Sequence, residues 1–353
     1  MPSTLRSAVR QRLRHAVITG GLEFARLAGR AGLMTSARGN GAIFTLHHVR
    51  PKAVQAFEPN AHLEITPAFL DEAIVHLAEE GYQFVALHDL PARMAIARPE
   101  ERFAAFTLDD GYRNNALHAQ PVFTRHKVPF TVFVAGGFAC RTHSIWWETL
   151  TELLRGLAHI EFDFGAGPVV LPLASPFQKQ AAFNRFAAFV HAGSDEASAI
   201  ARLDEIAARN GIDPLLITER LVLREPELKS LALNPLATLG AHTISHRALA
   251  RLPDDEARRE MRDSADRVEA MIGRRPDTFA YPYGDDAAVS PREHRLAAEL
   301  GFRVAVTTLP GTLSQASFDR PTALPRISLN GLYQKRKYVE ALASGIPFRL
   351  MRR

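Results

Sequence analysis

From residue 41 onward, short β-branched or aromatic runs alternate with longer stretches of helical periodicity. This alternation confines the chain to βα units, because a sandwich would lack the helices and a bundle the strands. The runs at 42–47, 83–87, 103–108, 130–135, 237–241, 278–281 and 303–307 are the expected strands. Several are apolar at consecutive positions, which suits parallel strands covered on both faces, as in a barrel wrapped by helices. The expected fold is α/β: a distorted (β/α) barrel, seven-stranded and TIM-like. Residues 143–235 break the rhythm. After Trp146 and Trp147 comes mostly helical, Ala-rich sequence with one hairpin near 162–173, expected as an insertion into a domain spanning 41–353.

Start and stop signals place the helices. Thr66 before Pro67 supplies an N-cap and a first-turn proline, with a stop at Gly81. Ser290-Pro291-Arg292-Glu293 combines the same proline with a capping box. Between 253 and 272, Ala257, Met261, Ala265, Val268 and Ile272 recur at helical spacing and end at Gly273, which predicts an amphipathic helix against the core.

A length of 353 residues with 46% hydrophobic content supports a large core and excludes disorder. The net charge of +5 is a weak argument for an anionic partner. Of 43 basic residues only six are lysine, leaving 37 arginines, a skew that coding bias also produces. With no reading motif present, no nucleic-acid partner is expected. Cys140 stands alone, so no intramolecular disulfide forms and the thiol reads as a small core residue. Residues 1–40 form a basic N-terminal extension, expected to be helical, with Arg6, Arg10, Arg12, Arg14, Arg26, Arg30 and Arg38 against one acid, Glu23. No apolar stretch spans a bilayer and no secretory h-region is evident. The expectation is a cytoplasmic protein, peripheral to the inner membrane if the extension rests on an anionic lipid face rather than on the domain.

The chemistry lies at strand ends. The strand at 103–108 delivers Asp109-Asp110-Gly111 at its C-terminal end, where parallel α/β architectures place catalysis. Adjacent carboxylates repel unless they share a cation or divide their roles, although Asp-Asp-Gly is also an ordinary turn. His242 and His246 follow another strand, and their i, i+4 spacing would put both imidazoles on one helical face. Two imidazoles and a carboxylate are a common three-ligand set for a divalent metal, with positions left for water and substrate.

Three segments carry a resemblance to the polysaccharide deacetylases of carbohydrate esterase family four, which share the homology domain of the nodulation chitooligosaccharide deacetylases. Residues 106–111, FTLDDG, resemble the family's first motif, Thr-Phe-Asp-Asp-Gly, with Leu108 for Phe. HTISH, 242–246, is similar to the second, His-Ser/Thr-x-x-His, and FAYPYG, 279–284, to the third. Order and spacing fit over roughly 41–330. The resemblance implies that Asp109 is the general base and that Asp110, His242 and His246 bind a divalent metal: Zn²⁺ first, with Co²⁺, Ni²⁺ or Mn²⁺ as alternatives. The oxyanion donor would be the Tyr283 N–H in the turn after Pro282. It further implies a hydrolase of carbon–nitrogen (non-peptide) bonds removing N-acetyl (or O-acetyl) groups from a polysaccharide, oligosaccharide or glycolipid, as in exopolysaccharide biosynthesis.

Two departures qualify this. The third-motif arginine that pairs with the base falls on Ala280, and no replacement is evident. The C-terminal Leu-x-His motif that supplies the general acid is missing, since PRISLNG, 325–331, offers Asn330. The strand AIFTLHHV, 42–49, resembles that of relatives with permuted motifs, and it nominates His47, ahead of His48, as the acid. Trp146 and Trp147 would give a sugar ring an aromatic platform or else pack in the core. The Ala280 departure leaves a metal amidohydrolase on a small cyclic amide as an alternative, beside a catalytically inactive carbohydrate-binding relative.

Overall fold

The computed structural model describes residues 2–193 and 195–351, the side chains of 2–12, 14 and 15 excepted. Seven parallel strands close on themselves: β1 (Gly41–Leu46), β2 (Arg102–Leu108), β3 (Phe130–Val134), β4 (Ala237–Ala241), β5 (Thr278–Ala280), β6 (Val304–Pro310) and β7 (Leu324–Ser328). Each pairs with the next in chain order. The ring closes where β7 pairs with β1, Phe44 opposite Ile327. The strands read as consecutive apolar residues because both faces are covered: all six residues of β1 and all five of β3 are buried.

One expected barrel strand is corrected. The run at 83–87 supplies only a three-residue strand, Tyr82–Phe84, which lies outside the ring against the start of β2, with Tyr82 opposite Arg102. The seventh barrel strand is β7. Pro325 and Arg326 interrupt its apolar pattern and hide it in the sequence, and the arginine is tolerated because it finds acceptors inside the barrel.

The helix signals act as local chemistry requires. Thr66 Oγ1 accepts from Phe69 N–H at the start of Pro67–Glu79. The Ser290–Glu293 capping box opens Pro291–Glu299. Helix Asp254–Ile272 buries Ala257, Met261, Ala265 and Val268 and ends at Gly273 with φ 71°, the left-handed region glycine enters freely. Between β3 and β4 lie Trp146–Gly156, the antiparallel pair His159–Asp163 and Pro168–Pro172, and helices Pro176–Ala192, Glu196–Arg209, Pro214–Leu221 and Glu225–Ala232. Except for Glu225–Ala232, whose Leu228 and Leu231 join the barrel's own core, their apolar faces form one cluster with Tyr112, Ala135 and Phe138 at the barrel's C-terminal end. Helix Pro2–Arg30 packs through Leu22, Ala25 and Ala28 on Tyr338, Ala341 and Ile346. Among the described residues, no helix is long and apolar enough to cross a membrane.

Asp204, on Glu196–Arg209, accepts from the Ser144 hydroxyl at 2.7 Å, while its Oδ1 is buried with no hydrogen-bond partner among the described residues. Burial, only partly opposed by Ser144, pushes its carboxyl up to about 6. The folded state therefore keeps a proton that the unfolded chain releases near pH 4, and this contribution to stability falls as pH rises to about 6 and is absent above it. Asp204→Asn is expected to raise the melting temperature at about pH 8 and leave it nearly unchanged at about pH 4. An equal shift at both pH values would rule out burial of the charge as the cause.

Candidate active site

Each site segment begins as its strand ends. Asp109 N–H donates to Leu46 C=O, His242 N–H to Val134 C=O and Tyr281 N–H to Val306 C=O, so the ladder pins the first residue beyond or at each edge. Asp110 and the residues of the other two loops then leave extended geometry. Asp110, Thr243, His246 and Tyr283 have φ of 70°, 59°, 57° and 59°, four of the seven non-glycine residues with positive φ among those described. Such conformations cost about 1–3 kcal/mol each and persist where the surroundings over-determine them.

His242 and His246 do not share a helical face, which corrects the expectation from their spacing. The segment is an irregular loop with two left-handed residues, closed by His246 N–H donating to Thr243 Oγ1 at 3.0 Å. Glu260 clamps it, accepting from Ile244 N–H and Ser245 N–H at 2.9 Å each and from Ser245 Oγ at 2.7 Å. From the other side Gly136 N–H and Gly137 N–H donate to the carbonyls of Thr243 and Ile244. A Cβ on Gly137 would lie 2.5 Å from the Ile244 oxygen, so this approach requires glycine.

The loop brings both imidazoles to Asp110, with Nε2 of His242 3.4 Å and Nε2 of His246 3.2 Å from Oδ1. These three buried residues are the group of metal-ligating side chains found among those described. Nδ1–H of His242 donates to Ala280 C=O at 2.6 Å, which leaves the Nε2 lone pair aimed at the carboxylate. Among the described residues, neither Asp110 oxygen has a hydrogen-bond partner of good geometry. A fully buried carboxylate left so, with two imidazole nitrogens converging on it, fits a divalent cation in donor type and number. Burial would raise the Asp110 carboxyl, but His242 and His246 outweigh it and hold it well below the usual range.

Asp109 has a partner that sequence reasoning missed. Arg326, 1% exposed, reaches from β7 and donates to both carboxylate oxygens, Nη1 to Oδ1 at 2.8 Å and Nη2 to Oδ2 at 2.7 Å. Its remaining bonds go to Thr307 C=O and Thr107 Oγ1. Burial would raise the Asp109 carboxyl, and Arg326 reverses this and keeps it below the ordinary range. The guanidinium absent from position 280 thus arrives from another strand, while Ala280 contributes its carbonyl to His242. A charged residue within an otherwise apolar run, Leu-Pro-Arg-Ile, was the available signal, since a buried arginine demands a carboxylate.

The two N-terminal histidines separate. His47 Nε2 stands 3.9 Å from Asp109 Oδ2 with its side chain 22% exposed. Burial lowers its pKa against the pull of Asp109 and Asp110. His48 is fully buried elsewhere, its ring 3.6 Å from that of Tyr112, Nδ1 2.7 Å from Asn114 Nδ2 and Nε2 3.6 Å from Glu148. Asn330 serves a turn, Oδ1 accepting from Leu332 N–H.

Trp146 and Trp147 offer no open platform, a correction to that expectation. They are 5% and 7% exposed within the apolar cluster, with indole N–H groups donating to Tyr283 Oη at 3.0 Å and Tyr112 Oη at 3.1 Å. Trp147 instead backs His246, ring centroids 5.0 Å apart. Pro282 and Tyr283 form the third wall. Gly284 N–H donates to Pro282 C=O, and Thr308 Oγ1 donates to Tyr283 C=O at 2.6 Å. Tyr283 Oη donates to Glu196 Oε1 at 2.7 Å, and Glu196 Oε2 accepts from Ala248 N–H, so a buried carboxylate of the inserted helices ties two site loops together.

Residues 199–305 match the sequence profile described as polysaccharide deacetylase. Among curated proteins none matches this sequence. In fold the chain is similar to a Streptococcus pyogenes deacetylase, PplD, solved in complex with acetate, at TM-score 0.54, 17% identity and coverage of 82% of this chain and 92% of that one. IcaB from Ammonifex degensii gives TM-score 0.53 and 16% identity over 87% and 97% of the two chains. A polysaccharide deacetylase from Bacillus cereus gives 0.53 and 15% over 87% and 68%. With the motif residues gathered at one end of a seven-stranded barrel and the profile matching across the second and third motifs, residues 199–305 of this chain are similar to the polysaccharide deacetylases, and the fold is the one those solved deacetylases share.

Proposed function

We propose that the protein is a metal-dependent deacetylase that removes N-acetyl, or O-acetyl, groups from a polysaccharide, oligosaccharide or glycolipid, in the assembly of an exopolysaccharide. The observation that carries this reading is the buried Asp110 carboxylate, unpartnered in hydrogen bonds among the described residues and flanked by two imidazole Nε2 atoms. The catalytic unit is 41–353, with 1–40 as an extension and about 143–235 as the insertion that closes over the site.

Asp110, His242 and His246 would hold the ion, Zn²⁺ by donor type. Bound there, it supplies Lewis acidity toward the acetyl carbonyl and lowers the pKa of a nearby water. Asp109 takes the proton of the attacking water. Arg326 keeps Asp109 ionised and aims its oxygens. The Tyr283 N–H stabilises the developing oxyanion, held by the Thr308 anchor on the same residue's carbonyl. His47, near Asp109 and open on one side, delivers a proton to the departing amine or alcohol. The fold relative from Streptococcus pyogenes carries acetate, the product this reaction would release.

Acetate release from N-acetylated and O-acetylated oligosaccharides, with and without chelator, tests the reading. Asp109→Asn is expected to retain the metal and lose turnover, and His47→Ala to slow release by about 10²-fold or more. Unchanged rates in Asp109→Asn would remove the base. An unchanged rate in His47→Ala would remove the acid.

A further inference from the structure

Helix Pro2–Arg30 is apolar on two sides. One side, Ile18, Leu22, Ala25 and Ala28, is covered by the helix Arg336–Ala343 and by Ile346. A second stripe beside it stands in solvent: Leu13 is 58% exposed, Val17 72%, Phe24 58% and Leu27 57%, followed by Leu33 at 57% just past the helix. Leu13, Val17, Phe24 and Leu27 recur at helical spacing and share one face, on which Gly20 lies between Val17 and Phe24. A helix with one packed face and a second apolar band has a second partner to meet.

Charge decides between candidate partners. Seven arginines and one acid occupy residues 1–40; Glu23 is paired with Arg26 and Lys337, and Arg30 and Arg38 pair with Glu340 and Glu80, so the charge offered to a further partner is that of Arg6, Arg10, Arg12 and Arg14. Packing this band on a second copy would bring two arginine-rich segments together with no free acid to offset them. An anionic lipid surface accepts both features: acyl chains take the apolar side chains and headgroups take the arginines.

We infer that Pro2–Arg30 is an interfacial helix that docks the protein on an anionic bilayer through Leu13, Val17, Phe24 and Leu27. The contact lies apart from the residues that hold the catalytic site and does not depend on their assignment.

Flotation of the full chain with phosphatidylcholine vesicles, alone or with about one third phosphatidylglycerol, tests it. The protein should float with the anionic vesicles, stay down with the neutral ones and be released by high salt. Phe24→Ser/Leu27→Ser should weaken flotation by about tenfold or more with the melting temperature unchanged. Arg10→Gln/Arg12→Gln, which leaves the apolar band intact, should weaken it as well and covers the case in which the first variant misfolds. Absence of flotation on anionic vesicles, equal flotation on both kinds, or a lipid-free dimer that Phe24→Ser/Leu27→Ser returns to monomer would overturn the inference.

Discussion

Asp110→Ala is expected to abolish retention of a divalent ion and to reduce acetate release to background. Removing a residue that orients a metal ligand typically costs 10–100-fold, and the loss of a ligand itself exceeds that. The two histidines alone make a poor site: His246 has a buried Nδ1 with no hydrogen-bond partner among the described residues, whereas His242 is oriented from behind by Ala280 C=O. Ion binding by the wild-type chain should also register as stability, about 2.7 kcal/mol at a hundredfold excess over the dissociation constant. Melting chelator-treated protein with and without Zn²⁺, Co²⁺ or Mn²⁺ should therefore show a shift in the wild type and none in Asp110→Ala or His242→Ala. Full activity after exhaustive chelation, or an unchanged ion-dependent shift in Asp110→Ala, would sink the metal centre.

Arg326→Met should damage the protein in a different way. It strands the Asp109 carboxylate in the barrel interior without a counter-charge, at a cost of roughly 3–5 kcal/mol. Asp109 is held below the usual carboxylate range by this guanidinium. The stability it contributes is therefore present above the ordinary carboxylate pKa and is lost only as pH falls through the lowered one. Without Arg326, burial raises the carboxyl, and the acid limb of activity should move upward while turnover at neutral pH falls about 10²-fold or more. Metal retention should survive, because Asp110, His242 and His246 are untouched. Arg326→Lys, a single point charge in place of a two-pronged donor, should be intermediate. Asp109→Asn/Arg326→Met should recover stability relative to Arg326→Met while remaining inactive. An acid limb that stays in place in Arg326→Met would separate Arg326 from the base.

The folded chain also shows why some residues could be read early and others could not. Asp109, Asp110, His242 and His246 were legible because Asp109 and His242 follow directly on strands, Asp110 and His246 lie in the loops those residues open, and a parallel barrel collects strand ends at one mouth. Their local geometry was not legible: the i, i+4 spacing suggested a helix, whereas two left-handed residues and the Glu260 clamp make a loop. Trp146 and Trp147 illustrate the same limit, since an aromatic pair near a site reads equally as platform or wall. Burial under the insertion makes them wall.

The sequence by itself determined the βα rhythm, the helix caps at Thr66 and Ser290 and the identity of the acidic and imidazole side chains, all properties set within a few neighbouring residues. Closure of β7 onto β1, and with it the delivery of Arg326 to Asp109 across 217 positions, was decided only in three dimensions. The reason is energetic: a buried guanidinium is tolerated only where a carboxylate waits, and which carboxylate waits depends on how the strands are arranged around the ring.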